Sequence, residues 1–123
     1  MLGSCHVVTF ILTSDVDRAK AFYINQLGLR YVAQDDFATV LDSNGVTLRL
    51  TPMPGHTPSQ HPVLGWKVPD IAAAVTGLAQ GGIQFERYSF LEQDELGIWT
   101  SPDGAAKVAF FKDPDGNLLS LTQ

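Results

Sequence analysis

The chain has 123 residues with a formal net charge of −5, 45% hydrophobic and 17% charged residues, and a single cysteine. That length suits one compact domain burying about two-thirds of its unfolded surface. The acidic balance without a basic cluster excludes a nucleic-acid surface, and no run reaches the roughly 18 apolar residues of a membrane span.

The first apolar stretch, Cys5 to Leu12, reads as a β-strand. Cys5 cannot form an internal disulfide, so a packed thiol in a reducing, cytoplasmic setting is expected, and Met1 to Leu12 lacks the basic start and cleavage site of a signal peptide. Ser14 or Asp15 can cap a helix whose apolar stripe is Val16, Ala19, Phe22, Tyr23 and Leu27, stopped by Gly28 in the left-handed conformation. Three short strands are predicted next: Leu29 to Gln34, Phe37 to Asp42 and Val46 to Thr51, the last two joined by Ser43-Asn44-Gly45.

Pro52 to Pro62, with four prolines among eleven residues, reads as a surface linker. Beyond it His61, Val63 and Asp70 repeat His6, Val8 and Asp15 at a constant spacing of 55 residues, which points to an internal duplication. The second half then follows the first. Val63 to Val68 is a strand, Pro69-Asp70 starts a helix with Ile71, Ala74, Val75 and Leu78 buried, and Gly81-Gly82 ends it. Strands Ile83 to Tyr88, Ala106 to Lys112 and Leu118 to Thr122 complete the order, with an extra segment Ser89 to Ala105 after the first of them. Asp113-Pro114-Asp115-Gly116-Asn117 is a turn, because proline fixes φ while glycine and asparagine accept positive φ.

Two βαβββ units, the helix start Ser-Asp-Val-Asp-Arg-Ala-Lys-Ala-Phe-Tyr running to Leu27-Gly28-Leu29, and the closing Asp-Pro-Asp-Gly-Asn hairpin resemble the vicinal oxygen chelate superfamily. That family holds glyoxalase I, extradiol dioxygenases, methylmalonyl-CoA epimerase, fosfomycin-resistance enzymes and the bleomycin-binding proteins. The resemblance implies an α+β fold in one domain, residues 1–123, with modules 1–52 and 63–123 joined by the linker 52–62. It implies a curled mixed-sheet cup with helices outside and a ligand or metal within.

In metal-using members the ligands are His, Gln or Glu on the first and last strands of each unit. Counting from Asp15 and Asp70 places two of these positions at Val8 and Val63, and the other two fall at Arg49 and Ser120. None offers the expected donor. A guanidinium about 4 Å from a divalent ion would repel it by about 8 kcal/mol at an effective dielectric of about 20. The resemblance therefore implies a cup without the usual metal and without a cofactor. His6 and His61 share the strand parity of Val8 and Val63; they are either a non-standard metal pair or ordinary exposed histidines, and Pro62 can end the strand beside His61.

Parity then gives the lining of the cup: His6, Val8, Phe10 and Leu12, then His61, Val63 and Gly65, then Thr47, Arg49 and Thr51, and finally Leu118, Ser120 and Thr122. Val7, Thr9, Ile11, Leu48, Leu50, Leu64, Trp66, Val68, Leu119 and Leu121 are expected against the helices. Arg49 either orients an oxyanion of the ligand or forms a structural ion pair with an acid such as Glu92, Asp94 or Glu95. Gln93-Asp94-Glu95 can cap the cup, and Trp99 either stacks on a planar ligand or belongs to the core or a dimer contact. The ligand-binding set is thus His6, Val8, Phe10, Arg49, His61, Val63, Trp99 and Ser120. The reading adopted is a protein that resembles the bleomycin-binding branch and binds a small organic molecule; that resemblance implies a homodimer, and no catalytic residue is assigned. The alternative is a metal-dependent lyase, dioxygenase or isomerase of the same superfamily using His6, His61 and a carboxylate such as Glu92 or Asp94.

Overall fold

The computed structural model describes residues 1–123, which divide into two compact units, residues 1–57 and 58–123. In the first unit β1 (Val8–Thr13) leads to α1 (Val16–Lys20), which widens into a π-helical segment over Ala21–Gln26. Strands β2 (Arg30–Gln34), β3 (Thr39–Ser43) and β4 (Val46–Pro52) follow. The second unit repeats the order with β5 (Leu64–Lys67), α2 (Ile71–Gln80), β6 (Trp99–Thr100), β7 (Lys107–Lys112) and β8 (Leu118–Thr122). The sheets run β1-β4-β3-β2 and β5-β8-β7-β6. Each is mixed: the β1–β4 and β5–β8 pairs are parallel and the rest antiparallel, giving an α+β fold of two βαβββ units.

The duplication is visible in the helix caps. Asp15 and Asp70 both have extended backbone, and each carboxylate accepts the amide three residues on, from Arg18 at 3.2 Å and Ala73 at 3.1 Å. That bond satisfies one of the orphan amides that every helix start leaves behind. Gly28 stops the first helix at φ +81°, a conformation that side chains with a Cβ adopt only under strain.

Each sheet buries one face. Ile11, Thr13, Leu41, Leu48 and Leu50 pack beneath α1 with Ala19, Phe22 and Tyr23, while Ala109, Phe111, Leu119 and Leu121 form the counterpart beneath Ile71 and Val75 of α2. The closing hairpin is built as its turn chemistry requires. Asp113 Oδ1 accepts the amides of Asp115 and Asn117 at 2.9 Å, and Oδ2 accepts the Asn117 side-chain amide at 2.8 Å.

Four expectations are corrected. β1 begins only at Val8, because Leu2–Ser4 forms a 3₁₀ turn, so Cys5 is exposed rather than packed and Val7 is exposed rather than set against the helix. His6 and His61 both lie outside strands, since β5 begins at Leu64 after Pro62, and neither takes a place in the sheet parity. Ile83 to Tyr88 is not a strand. It touches β7 through the Phe85–Phe111 bridge and the Glu86 amide bonded to Phe110 O at 2.7 Å, while Trp99–Thr100 takes the edge of β7 instead. Leu118, expected on the open face, is buried.

Candidate functional site

The faces turned away from the helices carry the candidate site residues, and strand register says which side chains share them. In the first unit Phe10 lies opposite Arg49, which lies opposite Val40, and Val8 lies opposite Thr47 and hence Asp42. In the second unit Gly65 lies opposite Ser120, which lies opposite Phe110, and Trp99 lies opposite Val108 and hence Thr122. Phe10 and Gly65 are 55 residues apart, so Arg49 and Ser120 occupy equivalent places in the two sheets. Of the predicted residues, Val8, Phe10 and Arg49 therefore come together on one open face, and Ser120 and Trp99 on the other. Val63 just precedes β5, its amide donating to Leu118 O at 3.0 Å. The exposed His6 and His61 flank the sheets.

Val8 and Phe10 are 45% and 62% exposed, which is unusual for side chains of that kind in a strand. Between them and β3 stands Arg49, whose Nη2 donates to Asp35 Oδ2 at 3.0 Å. Asp35 is the partner in place of Glu92, Asp94 or Glu95. It sits in the β2–β3 turn, where Oδ1 also accepts the Phe37 and Ala38 amides, both at 2.8 Å. The Phe37 amide, then the Arg49 guanidinium and then the Ala38 amide hold its carboxyl below the usual carboxylate value. Because a folded-state value below the unfolded one favours the native state above the unfolded pKa, this contribution is complete above about pH 4 and vanishes as pH falls through the folded value. Urea unfolding of the parent and Asp35→Asn at descending pH is expected to show a stability difference that shrinks on acidification. A difference that widened would refute the assignment.

The divalent site implied by the superfamily resemblance does not fit these side chains. Val8 and Val63 have no lone pair, Ser120 offers a single neutral hydroxyl, and Arg49 brings a cation already matched by Asp35. Both Asp35 oxygens are engaged by protein donors, so the pair supplies no free carboxylate to an ion. With Asp35 beside it, Arg49 no longer presents a bare positive charge. The missing donors, more than repulsion, are what disfavour a cation. No three His, Cys, Asp or Glu side chains gather to hold an ion within either unit.

The segment between Glu86 and Ile98 is braced by its own side chains. The Gln93 side chain accepts the Tyr88 amide at 2.8 Å and donates to Glu86 O at 3.1 Å and Gly97 O at 3.0 Å. Asp94 Oδ1 accepts the Leu96 and Ile98 amides, each at 2.9 Å, and the Arg87 guanidinium forks onto the carbonyls of Asp94 and Glu95. Gln93 and Asp94 are thereby assigned to structure. What the brace presents is aromatic: Tyr88 meets Phe110 edge-on at 5.7 Å and Phe90 at 5.3 Å, and Phe90 is 80% exposed. Burial first, and the Glu86 carboxylate second, push the Tyr88 phenol up.

Asp35, Phe90, Phe110 and Lys67 are not singled out by the sequence, and Tyr88 reads there equally as plain sheet surface. Lys67 shares the parity of Gly65 and Phe110 faces Ser120 across the closing hairpin, which were readable signals; Asp35, Tyr88 and Phe90 depend on turn geometry that spacing does not encode. On the helix side of the second sheet, a hollow of about 340 Å³ lies at the start of α2 beside Lys107, Asp94 and Gln123. Two of the amides there are already claimed, Ile71 by Gln123 Oε1 at 2.8 Å and Ala73 by Asp70.

Comparison with known proteins agrees with this architecture. Among solved structures, the chain is similar to a glyoxalase family protein from Enterococcus faecalis at 21% identity and TM-score 0.72, covering 96% of this chain and 94% of that one. It is similar to a glyoxalase/bleomycin resistance protein/dioxygenase from Alicyclobacillus acidocaldarius at 21% identity and TM-score 0.73, covering 97% and 90%. It is also similar to a lactoylglutathione lyase from Agrobacterium tumefaciens at 19% identity and TM-score 0.71, covering 97% and 92%. Likeness at such identities speaks for the fold alone. A comparison with curated proteins returns no match. No helix is long and apolar enough to cross a membrane. The sequence profile of the Glyoxalase/Bleomycin resistance protein/Dioxygenase superfamily matches residues 5–121, and the chain belongs to that superfamily.

Proposed function

We propose that this protein binds a small organic molecule on its open sheet faces and does so without the divalent ion used by metal-dependent members of the superfamily. One observation carries the reading. At the positions the resemblance assigns to metal ligands stand Val8, Val63, Ser120 and an Arg49 whose guanidinium is tied to Asp35 at 3.0 Å. Exposed apolar side chains around a few fixed polar groups are the usual composition of a ligand-binding surface. The reading extends to a homodimer working in a reducing cytoplasm, with neither nucleic acid nor membrane as partner; light scattering on the purified protein measures the first part.

Elemental analysis of protein expressed with metal supplementation and purified without chelator is the test. Zinc, nickel, iron, cobalt and manganese are each expected far below stoichiometry. Stoichiometric metal that disappears in His6→Ala or His61→Ala would overturn the proposal in favour of a metal-dependent lyase, dioxygenase or isomerase. A thermal-shift screen of organic compounds reads the binding itself, since a ligand at about 100 times its Kd stabilises the native state by about 2.7 kcal/mol.

A further inference from the structure

We infer that the open face of the second unit is a site for a planar aromatic carboxylate, stacked on the Tyr88–Phe90–Phe110 cluster with its anionic end toward Lys67 and Ser120. The inference rests on the small-molecule reading above and names the ligand class.

The aromatic part begins with Phe90. An exposed phenylalanine in a mobile loop signifies little, but this loop is pinned by three hydrogen bonds to the Gln93 side chain and by the Arg87 fork. The ring is therefore held out at a cost that the fold bears continuously. Tyr88 lies 5.3 Å from it at 35° and 5.7 Å from Phe110 at 79°, so the cluster offers both ring faces and ring edges to an incoming ring. Offset-stacked and edge-to-face contacts at these separations favour aromatic over saturated partners.

The polar part follows from strand register. Ser120 is opposite Phe110 on one side and Gly65 on the other, and a Cβ at position 65 would come 2.4 Å from Ser120 Oγ, so glycine leaves that hydroxyl uncovered. Two residues along β5 on the same face, about 7 Å away at the rise of an extended strand, is Lys67. It is exposed and makes none of the ion pairs of the protein. Of the acids in that sheet, Glu86 is already matched by Lys112 at 3.4 Å. On the equivalent face of the first unit Asp35 already answers Arg49, so the uncompensated cation belongs to the second unit alone.

Isothermal titration with 2-naphthoate, 2-naphthol and decahydro-2-naphthoate tests both halves, using the parent, Phe90→Leu, Lys67→Gln and, as a control on the helix face of the other unit, Lys20→Gln. We expect 2-naphthoate to bind tighter than either analogue and to weaken as salt is raised. Phe90→Leu, which keeps an apolar side chain but removes the ring, should weaken 2-naphthoate by about 2–10-fold. Lys67→Gln should weaken it by about 2–5-fold and leave 2-naphthol unchanged, and Lys20→Gln should behave as the parent.

Equal binding of the saturated acid, equal binding of the naphthol, or indifference to both Phe90→Leu and Lys67→Gln overturns the inference. So does a change of oligomeric state in Phe90→Leu without a change in 2-naphthoate affinity, which would make Phe90 a contact between copies. These failures are separable from failure of the metal-free reading, because that failure alone would make 2-naphthoate binding depend on added metal and vanish with chelator while its dependence on Phe90 and Lys67 persisted.

Discussion

Replacing Phe111 by alanine is expected to lower the unfolding free energy by about 3–5 kcal/mol, a large share of the roughly 5–15 kcal/mol that holds a domain folded. The ring is fully buried opposite Leu119, lies 6.4 Å from the Trp66 ring at 25°, and lies 5.3 Å from Phe85 at 51°. Its removal takes away the transfer free energy of a benzyl group and leaves a cavity among β-strand neighbours that cannot collapse without breaking register. Phe111 also makes the bridge to Phe85, which ties the segment after α2 to β7. Urea unfolding with an unchanged m-value and a lowered midpoint is the expected result. A loss below about 1 kcal/mol would mean that the second core repacks freely around the missing ring.

The second large effect belongs to Gln93. Truncation to alanine strands the Tyr88 amide and the carbonyls of Glu86 and Gly97 at once, and about 2–3 kcal/mol of destabilisation is expected from losing three neutral hydrogen bonds in a half-buried setting. Gln93→Glu separates the roles of the two ends of the amide. A carboxylate still accepts the Tyr88 amide but can no longer donate to two carbonyls, and it sets negative charge against them, so it should be at least as damaging as alanine. Amide hydrogen exchange of Tyr88 is the accompanying measurement: protection should fall in Gln93→Ala and survive in Gln93→Glu. If all three proteins unfold alike, Gln93 is not the brace.

Much of the fold was legible because much of it is local. Asp15 and Asp70 announce helix starts through a bond three residues long, Gly28 announces a stop through one dihedral angle, and Asp113 to Asn117 closes on itself. Strand alternation in β4 and β8 followed from Leu48 and Leu50 and from Leu119 and Leu121, which are buried as expected. What escaped was decided by partners far away in sequence. Ile83 to Tyr88 has strand composition, yet β7 is paired by Trp99–Thr100, and only Phe85 and Glu86 find a place beside it. Arg49 was singled out from strand parity, but its partner Asp35 could be found only by noticing that an Asx turn between β2 and β3 would bring a carboxylate back to β4. The aromatic cluster was hidden for the same reason: Tyr88, Phe90 and Phe110 meet because Gln93 folds the intervening chain.

The matched register of Arg49 and Ser120 shows how far a duplicated fold can specialise by halves. One copy carries a salt-bridged, electrically quiet surface with a phenylalanine beside it, while its twin has a glycine there, a bare hydroxyl and a spare ammonium. Selection can therefore retune what the later copy recognises without unsettling the earlier one, since the two share a blueprint but not a hydrogen-bonded ladder.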